Sequence, residues 1–514
     1  MKKIAINPNN SETNKNIAGF YENKGDLKKA EEFYLKSLNF RLANYKKNYS
    51  ESANCFNILG VFYENQGDFQ KAEDFYQKAL TIRLDLYGET HIDIISSYDN
   101  LASLYEVKGD IQKAEEFYKK SLKESKDFYG KFHCQTAECY NNLGVFYCQN
   151  DDLVKAEKCY VQALEIRIEV LGSNHLETAR TQSNLGILYD KMADFPKAER
   201  CFIESLKTFG DGNDENVGNC YNNMGRVFAN QGEYEKAEVA FLRCLEIFEL
   251  IFEAKHENIA NICQNLGGVY ENLGLIEKAE NFYMKSMRIF EALYGETNEK
   301  TGGLYNNLGV LYENMGDFKK AQECLMKVLK IYEENSEESA VLMNKIGFIC
   351  YKQGDLEIAE GFYLRSLKLL REESEETALC YNNLGLLYKS LSLFERSEAA
   401  YLKAIDISLR VFGENNGNTA TSYNNLGGVY VKMDQLEKAE EFYLRSIKIR
   451  EKIYGENDII TASSYNNLGA LYHKKKRMEE ARFYGFKAYE VYFKVYGEED
   501  ESTKIILANA NSYT

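Results

Sequence analysis

Proline and tryptophan are the residues that this chain most clearly lacks: its 514 residues include two prolines and no tryptophan. Proline breaks helices because it has no backbone N–H and its ring clashes with the preceding turn. Its scarcity therefore permits a long succession of helices. Pro196 follows Asp194 in what we predict to be a first helical turn, where proline is tolerated.

Features of membrane insertion and secretion are missing too. No stretch approaches the roughly 18 consecutive apolar residues of a membrane span, and the start MKKIAINPNN has no hydrophobic segment of a signal peptide. We therefore expect a cytoplasmic location and no membrane insertion. The 12 cysteines form no C-x-x-C pair, so we expect reduced thiols rather than disulfides.

Motifs of catalysis and phosphate binding are also absent. Neither G-x-x-x-x-G-K-[ST] nor G-x-G-x-x-G occurs, and no cysteine has a basic motif beside it that would activate a thiolate. The sequence predicts no catalytic residue, no cofactor and no metal; an enzyme or a metal-dependent protein is the alternative. The net charge of -16 argues against a nucleic-acid partner, because phosphate binding needs a basic face.

What the chain does contain is one unit repeated along its length, clearest at residues 421–457, TSYNNLGGVYVKMDQLEKAEEFYLRSIKIREKIYGEN. One apolar stripe at helical spacing predicts a helix A, and a second stripe predicts a helix B. We predict Asp434 as the N-cap of helix B and Gly455 as its C-terminal stop. The stripe of helix A contains Ala420, Tyr423, Leu426, Gly427 and Tyr430; that of helix B contains Leu436, Ala439, Phe442, Tyr443, Ser446, Ile447 and Ile453.

Two columns of small residues establish the repeat. The first follows the Leu of the NNLG motif, at Ala18, Gly60, Ala102, Gly144, Gly186, Gly225, Gly267, Gly309, Gly347, Gly385, Gly427 and Gly469. The second is Ala30, Ala72, Ala114, Ala156, Ala198, Ala237, Ala279, Ala321, Ala359, Ser397, Ala439 and Ala481. One hairpin cannot bury its own apolar faces, whereas stacked hairpins can, so we predict an all-α solenoid.

With these columns, the chain resembles the tetratricopeptide repeat (TPR) family over residues 11–503. The resemblance implies a right-handed superhelical solenoid of about twelve TPR hairpins that binds partners in its concave groove. The repeat is longer than the family's usual period and lacks its proline at the end of helix B. NNLG, KAE and YGExH in fixed order are more similar to kinesin light chains and nephrocystin-3-type proteins, but no heptad coiled coil precedes the repeats, so motor association is not implied.

The repeat columns also divide the chain. We predict a disordered N-terminus over 1–10, the TPR solenoid over 11–500 and a C-terminal capping helix over 501–514. The Gly-, Asn- and Asp-rich segment 209–217 is a predicted hinge. No polar capping helix precedes the first hairpin, so we expect its outer face to be covered by a partner or by a second copy of the chain.

Histidine, cysteine and tyrosine could in principle bind metals, act as nucleophiles or stack on bases, and each of them recurs at fixed positions of the repeat. Successive histidines should lie a helix-pair spacing apart, too far to share a zinc ion, so a role in loop structure is favoured over metal binding. The cysteines are predicted to fill the core, and most of the 39 tyrosines to pack there rather than stack on bases. The histidine column is His91, His133, His175 and His256; the cysteine columns are Cys55, Cys139, Cys220 and Cys380, and Cys159, Cys201 and Cys324.

The second asparagine of the NNLG motif recurs in ten repeats, and two interpretations remain open. An amide on the groove side of helix A can both donate to and accept from a peptide backbone. Alternatively, the asparagines form a ladder that bonds one hairpin to the next. The column is Asn16, Asn100, Asn142, Asn184, Asn223, Asn265, Asn307, Asn383, Asn425 and Asn467.

The charge near the end of helix A changes sign along the chain. Earlier repeats carry Glu22, Glu64, Glu106, Asp190, Glu271 and Glu313 there, whereas the last four carry lysines, followed by Lys475, Lys476 and Arg477. The lysines are either a solvated face or a lane that binds an acidic, extended segment of a partner. The candidate peptide-binding residues are Lys345, Lys352, Asn382, Asn383, Lys389, Asn424, Asn425, Lys432, Asn466, Asn467 and Lys474.

The sequence therefore predicts a non-enzymatic scaffold or adaptor for protein–protein interaction, holding a partner protein or peptide in the concave groove. A cargo-adaptor or regulatory TPR protein of the kinesin-light-chain type is the alternative.

Overall fold

The computed structural model describes residues 11–44, 49–88, 90–210, 212–332 and 336–513. These residues form 25 α-helices and no β-strand, which confirms the predicted all-α fold. Segment 1–10, predicted to be disordered, lies outside the described residues. The chain divides into two compact units, one ending at Ala254 and the other beginning at Lys255.

The helices follow one another in pairs, and each pair is one repeat. The first unit contains α1 (Ser11–Asn23), α2 (Leu27–Asn44), α3 (Tyr49–Asn65), α4 (Phe69–Tyr87), α5 (Ile92–Val107), α6 (Ile111–Tyr129), α7 (Cys134–Gln149), α8 (Leu153–Leu171), α9 (Leu176–Lys191), α10 (Phe195–Phe209), α11 (Glu215–Asn230) and α12 (Tyr234–Ile251). The second contains α13 (Glu257–Asn272), α14 (Ile276–Tyr294), α15 (Glu299–Asn314), α16 (Phe318–Leu329), α17 (Glu337–Gln353), α18 (Leu356–Leu369), α19 (Glu375–Ser390), α20 (Phe394–Phe412), α21 (Gly417–Lys432), α22 (Leu436–Tyr454), α23 (Ile459–Lys474), α24 (Met478–Tyr496) and α25 (Glu501–Ser512).

Repeats are numbered in order, so repeat two is α3 and α4, and repeat eight is α15 and α16. Odd-numbered helices up to α23 are helices A, and even-numbered helices are helices B. The predicted hinge at 209–217 spans the end of α10 and the start of α11 and stays a prediction.

Residues at the ends of the helices fix each hairpin, as repeat two illustrates. Gly67 has a φ of 76°, in the left-handed region that glycine adopts without steric cost. Asp68 then caps α4, because its carboxylate accepts a hydrogen bond from the backbone N–H of Lys71 at 3.2 Å. Gly88 ends the helix with a φ of 73°. The same aspartate caps helix B at Asp110, Asp152, Asp194 and Asp317.

The prediction that Asp434 caps α22 is wrong. Asp434 has a φ of 58°, and the N-cap is Gln435, which makes no side-chain capping bond. Asp434 occupies the place of the left-handed glycine, a conformation that aspartate tolerates better than most residues. Its carboxylate instead pairs with Lys474 at 2.8 Å. The predicted stop at Gly455 is confirmed, since this residue is the C-cap with a φ of 86°.

The small-residue column lets the two helices of a hairpin approach closely. A Cβ added at Gly60 would lie 2.5 Å from the ring of Tyr76, and Tyr76 is only 1% exposed. The corresponding distance is 2.7 Å between Gly144 and Tyr160. An aromatic ring of helix B therefore lies directly against the backbone of helix A, as interior packing density requires.

Hairpins also stack on one another within each unit. In the second unit, helices α17, α19, α21, α23 and α25 contact one another in succession. The helices A of the last repeats therefore form one layer, and the candidate peptide-binding residues lie on this layer.

Helix α25 follows the last hairpin and packs against α24. Its C-cap residue, Tyr513, is 4% exposed and covers Gly485, where an added Cβ would lie 3.0 Å from the tyrosine ring. The Tyr513 ring centroid lies 5.0 Å from that of His473. Gly485 occupies the position of Tyr76 in repeat two. Helix α25 thus supplies the aromatic ring that α24 lacks.

Candidate peptide-binding surface

Asparagine side chains connect successive helices A. The second asparagine of one repeat donates its amide to the first asparagine of the preceding repeat, so these amides form a ladder between repeats. The donor–acceptor distances are 2.7 Å for Asn100–Asn57, 3.0 Å for Asn184–Asn141, 3.1 Å for Asn383–Asn344, 3.1 Å for Asn467–Asn424 and 3.4 Å for Asn509–Asn466. Peptide binding by the same amides stays a prediction.

The ladder is interrupted between α19 and α21. Asn382 accepts a hydrogen bond from the Ser422 hydroxyl at 3.1 Å instead of from an asparagine. The half-buried amide of Asn425 consequently has no hydrogen-bond partner in the described part of the chain. Of the six predicted asparagines, Asn425 is the most available to a ligand.

Acidic residues near the ends of helices A are used inside the repeats. Glu64 accepts a hydrogen bond from the Tyr76 hydroxyl at 2.6 Å, which satisfies the polar end of a buried ring. The same pair forms between Tyr34 and Glu22 at 2.6 Å, Tyr118 and Glu106 at 3.0 Å, and Tyr283 and Glu271 at 3.0 Å. We call this arrangement the tyrosine–glutamate pair. These carboxylates are internal acceptors rather than a free acidic surface.

Glu313 occupies the same position in repeat eight but lacks its partner. Residue 325, which aligns with Tyr76, is a leucine and has no hydroxyl to donate. The half-buried Glu313 side chain has no hydrogen bond or ion pair with any other described residue. By contrast, Asp190 is 8% exposed and accepts hydrogen bonds from Arg226 and Asn230, both at 3.0 Å.

A cavity of about 390 Å³ lies beside Leu325. Its apolar walls come from three repeats, and its polar lining includes Glu313, Lys345 and Asn383. Two of the wall residues face solvent, since Val310 is 37% and Leu379 is 47% exposed. The apolar wall residues are Val310, Leu325, Phe348 and Leu379. Two predicted residues, Lys345 and Asn383, are thus brought together at one cavity.

The predicted lysines differ in their surroundings. Lys474 is already engaged, because its ammonium donates to the Val431 carbonyl at 3.1 Å and pairs with Asp434 at 2.8 Å. Lys352 is exposed, with its ammonium 5.2 Å from the centre of the Phe348 ring. Beyond the lane, Lys475 and Arg477 both form ion pairs with Glu440.

Lys389 and Lys432 are brought together without a carboxylate. The ammonium of Lys389 lies over Gly428 of the next helix A, where an added Cβ would be 2.8 Å away. Burial lowers the pKa of Lys389, and the charge of Lys432 lowers it further. Neither lysine forms an ion pair within the residues that the structure describes. An anion placed between them would relieve both the repulsion and the lost solvation.

The histidine column caps helices A. In His91, His133, His175 and His256, Nδ1 accepts a hydrogen bond from the backbone N–H two residues later, at 3.1 to 3.2 Å. The His91 ring also stacks on Tyr87 with 3.7 Å between ring centroids. These contacts give the histidines the structural role in the loop that the sequence favoured.

The 12 cysteines are free thiols, and most are buried. Burial raises the pKa of Cys139 and of Cys220 to about 11. A nucleophilic cysteine requires the opposite shift. The surroundings of these thiols are therefore those of core residues.

A buried arginine was not anticipated from the sequence. Arg83 is 5% exposed and donates to Asn54 on α3 at 2.8 Å and to Ser97 on α5 at 2.6 Å. It therefore ties together three consecutive helices. Arg167 and Arg450 occupy the same position and are equally buried. Their repetition at one position was the available signal, although arginine alone is a poor predictor of burial.

Comparison with family models identifies this architecture. The tetratricopeptide repeat model matches residues 10–85, 51–123, 135–211, 216–292, 258–334, 338–410, 381–452 and 418–494. The chain therefore belongs to the tetratricopeptide repeat family, as the repeat columns indicated. Comparison with curated proteins finds no match.

Three solved structures share partial similarity with this chain. The apo quorum sensor NprR from B. thuringiensis has 16% identity and a TM-score of 0.49, covering 69% of this chain and 98% of that chain. The APC/C hetero-tetramer Cut9-Hcn1 has 14% identity and a TM-score of 0.40, with 99% and 90% covered. BtubC (BKLC) from P. vanneervenii has 25% identity and a TM-score of 0.31, with 50% and 86% covered. None of these similarities supports a more specific assignment.

Among the described residues, every helix is too short or too polar to cross a bilayer.

Proposed function

We propose that this chain is a non-enzymatic scaffold or adaptor that holds an acidic, extended segment of a partner protein on the helix-A layer of its last repeats. Lys389 and Lys432 provide the charge, and the Asn425 amide bonds the peptide backbone. Because the twelve cysteines are free thiols, a cytoplasmic location is part of the proposal.

The observation that carries the proposal is the pair Lys389 and Lys432. On the same layer, Lys474 has an acidic partner in Asp434. Lys389 instead is half-buried beside a like charge. Carboxylates of a partner would restore the missing opposite charge, and such complementarity favours specificity and fast association.

The amide of Asn425 supports an extended peptide rather than a free anion. It lies on α21, the helix that also carries Lys432, and has no partner among the described residues. A primary amide can pair with both the N–H and the C=O of an extended backbone. One helix, α21, would therefore bind both the acidic side chains of the partner, through Lys432, and its peptide backbone, through Asn425.

The test uses a fluorescently labelled oligoglutamate peptide and the full chain. Reversing both charges, Lys389→Glu with Lys432→Glu, should weaken binding by about tenfold or more, because two attractive contacts become repulsive. Binding to the unchanged protein should also weaken as salt rises, since partly exposed charges are screened. Fluorescence anisotropy measures both effects.

Lys448→Glu with Lys452→Glu is the matched control. These two lysines are exposed on α22, a helix B of the same region, and the change in net charge is identical. This control should bind the peptide nearly as well as the unchanged chain does. Equal loss in both double variants would reduce the effect to net charge and overturn the proposed site.

A further inference from the structure

We infer that the cavity beside Leu325 in repeat eight binds a tyrosine side chain of the partner's extended segment, whose hydroxyl donates to Glu313. This inference rests on the proposed function and adds the chemistry of one partner residue. Its basis is a position where the chain departs from its own repeat.

The first argument is the tyrosine–glutamate pair. In four other repeats a helix-B tyrosine donates to the glutamate of helix A, as Tyr283 does to Glu271 at 3.0 Å. Repeat eight keeps the glutamate, Glu313, but carries Leu325 in place of the tyrosine. The acceptor is present, whereas the donor and the outer end of the ring are missing.

The second argument is the location of the cavity. In repeat seven the Tyr283 hydroxyl lies 3.5 Å from the Cβ position of Gly268. Gly268 aligns with Val310, and both Val310 and Glu313 line the cavity of repeat eight. The open space therefore lies where the missing hydroxyl would be, and solvent reaches its exposed rim.

The third argument is a precedent within the same chain. Repeat twelve also lacks the helix-B aromatic residue, because Gly485 occupies that position. There Tyr513, the residue that follows α25, packs against Gly485 and His473. His473 aligns with Glu313. A tyrosine from another segment thus already fills this kind of gap once.

The charge of Glu313 selects among possible occupants. A half-buried carboxylate without a partner favours a side chain that ends in a hydrogen-bond donor, and a bond to a charged acceptor is stronger than a neutral one. The walls formed by Phe348 and Leu379 favour a flat apolar body. Tyrosine combines both properties, whereas phenylalanine lacks the donor and an acidic residue would be repelled.

The probe for this inference is p-cresol, which is the tyrosine side chain without its backbone. Ligand-observed NMR titrations of the full chain should show saturable binding of p-cresol. Toluene should bind about tenfold more weakly, since it cannot donate to the carboxylate. Equal binding of toluene, or tighter binding of butylamine as a lysine analogue, would overturn the tyrosine assignment.

Reciprocal variants place the binding site. Leu325→Tyr should abolish p-cresol binding, because the new ring fills the cavity from within. Glu313→Gln should weaken binding several-fold, whereas Glu271→Gln, where Tyr283 is present, should not. Tyr283→Leu should create a second site in repeat seven, with circular dichroism to verify folding. Unchanged p-cresol binding in Leu325→Tyr would overturn the inference.

These measurements are independent of the proposed acidic partner. If oligoglutamate binding proved insensitive to Lys389 and Lys432 while p-cresol still bound beside Leu325, the proposed lane would fail and the tyrosine cavity would stand. If oligoglutamate binding depended on Lys389 and Lys432 but p-cresol did not bind beside Leu325, only the tyrosine inference would fail.

Discussion

In repeats two and three, the charged side chain near the end of helix A has a partner within its own repeat, whereas in repeats eight and ten it has none among the described residues. Glu64 and Glu106 accept hydrogen bonds from tyrosines of their own repeats. In repeat eight Leu325 leaves Glu313 without a donor, and in repeat ten Lys389 has no carboxylate in the described chain. One scaffold therefore yields two kinds of surface. The side chain near the end of helix A stabilises its repeat when its helix-B partner is present, and it is available to a ligand when that partner is replaced.

The largest expected effect on stability comes from removing the tyrosine of a tyrosine–glutamate pair. Tyr76→Leu should lower the free energy of unfolding by about 2–4 kcal/mol, because it leaves a cavity and removes the donor to Glu64. Tyr76→Phe should cost only about 1 kcal/mol, since it removes the hydroxyl alone. Hydrogen exchange of α3 and α4 would measure the local loss. Equal costs for the two variants would show that the ring end contributes nothing by packing.

A smaller effect is expected at Asp99 of α5, a buried carboxyl group in the first unit. Its Oδ1 is buried without a hydrogen-bond partner, and burial, with a contribution from Glu138, raises the pKa of Asp99 to about 6. The protonated form is favoured in the folded state, so the contribution of Asp99 to stability is highest below about pH 4, is lost as pH rises to about 6 and is constant above that. Asp99→Asn should therefore be more stable by about 2 kcal/mol at pH 7.

Urea denaturation at several pH values checks this prediction. The difference between Asp99→Asn and the unchanged chain should grow between pH 4 and pH 6 and then remain constant, because about 4 and 6 are the unfolded and folded pKa values. A difference that did not vary with pH would mean that ionisation of Asp99 does not control the stability of this repeat.

Lys389 should give a still smaller change. Burial, followed by the charge of Lys432, lowers the pKa of Lys389, so the charged form is disfavoured in the folded state. The resulting loss of stability is present at neutral pH and is relieved as pH rises through the lowered pKa. Lys389→Met should therefore raise the stability by about 1 kcal/mol at pH 7, and the gain should shrink in alkaline solution.

The exposed Lys352 provides the matched control in the same denaturation experiment. Lys352→Met should change stability by less than about 0.5 kcal/mol, as is usual for surface sites. If the two methionine variants behaved alike, burial beside Lys432 would not be what destabilises Lys389.

No effect is expected from chelators. The four histidine caps bond backbone N–H groups, so EDTA should leave the thermal transition unmoved. His133→Asn should also be nearly neutral, because asparagine is a good N-cap, whereas His133→Ala should cost about 1 kcal/mol. Thermal unfolding followed by circular dichroism would check all three. A fall of several degrees with EDTA would contradict the structural role of this column.

Sequence reasoning located the helices well because each has an apolar stripe and marked ends. Gly427 and Tyr443 lie on the two predicted apolar stripes, and in the structure a Cβ at Gly427 would lie 2.8 Å from the Tyr443 ring. The N-cap of α22 could not be predicted from Asp434 by itself, because aspartate is common both at N-caps and in left-handed turns. Alignment with Gly67 would have shown that it occupies the left-handed turn position.

Less of the candidate surface could be predicted, because a charge in a sequence does not show its partner. Lys432 and Lys474 look alike in the repeat, yet only Lys474 has a carboxylate within reach, that of Asp434. Glu64 and Glu313 are likewise equivalent until the residue twelve positions later is compared. The cavity beside Glu313 results from a leucine twelve residues later in the sequence. It can be predicted only when the glutamate position and the tyrosine position of each repeat are compared together.

The asparagine ladder bears on how such a chain can change its length during evolution. Each bond joins an asparagine to one in the next repeat, 43 residues apart for Asn467 and Asn424 but 39 for Asn383 and Asn344. The bond depends on the presence of a following helix A and tolerates a shorter connection between the two. Unequal recombination that adds or removes a whole internal repeat would therefore reproduce the same junction, so copy number can vary without any new contact having to arise by mutation.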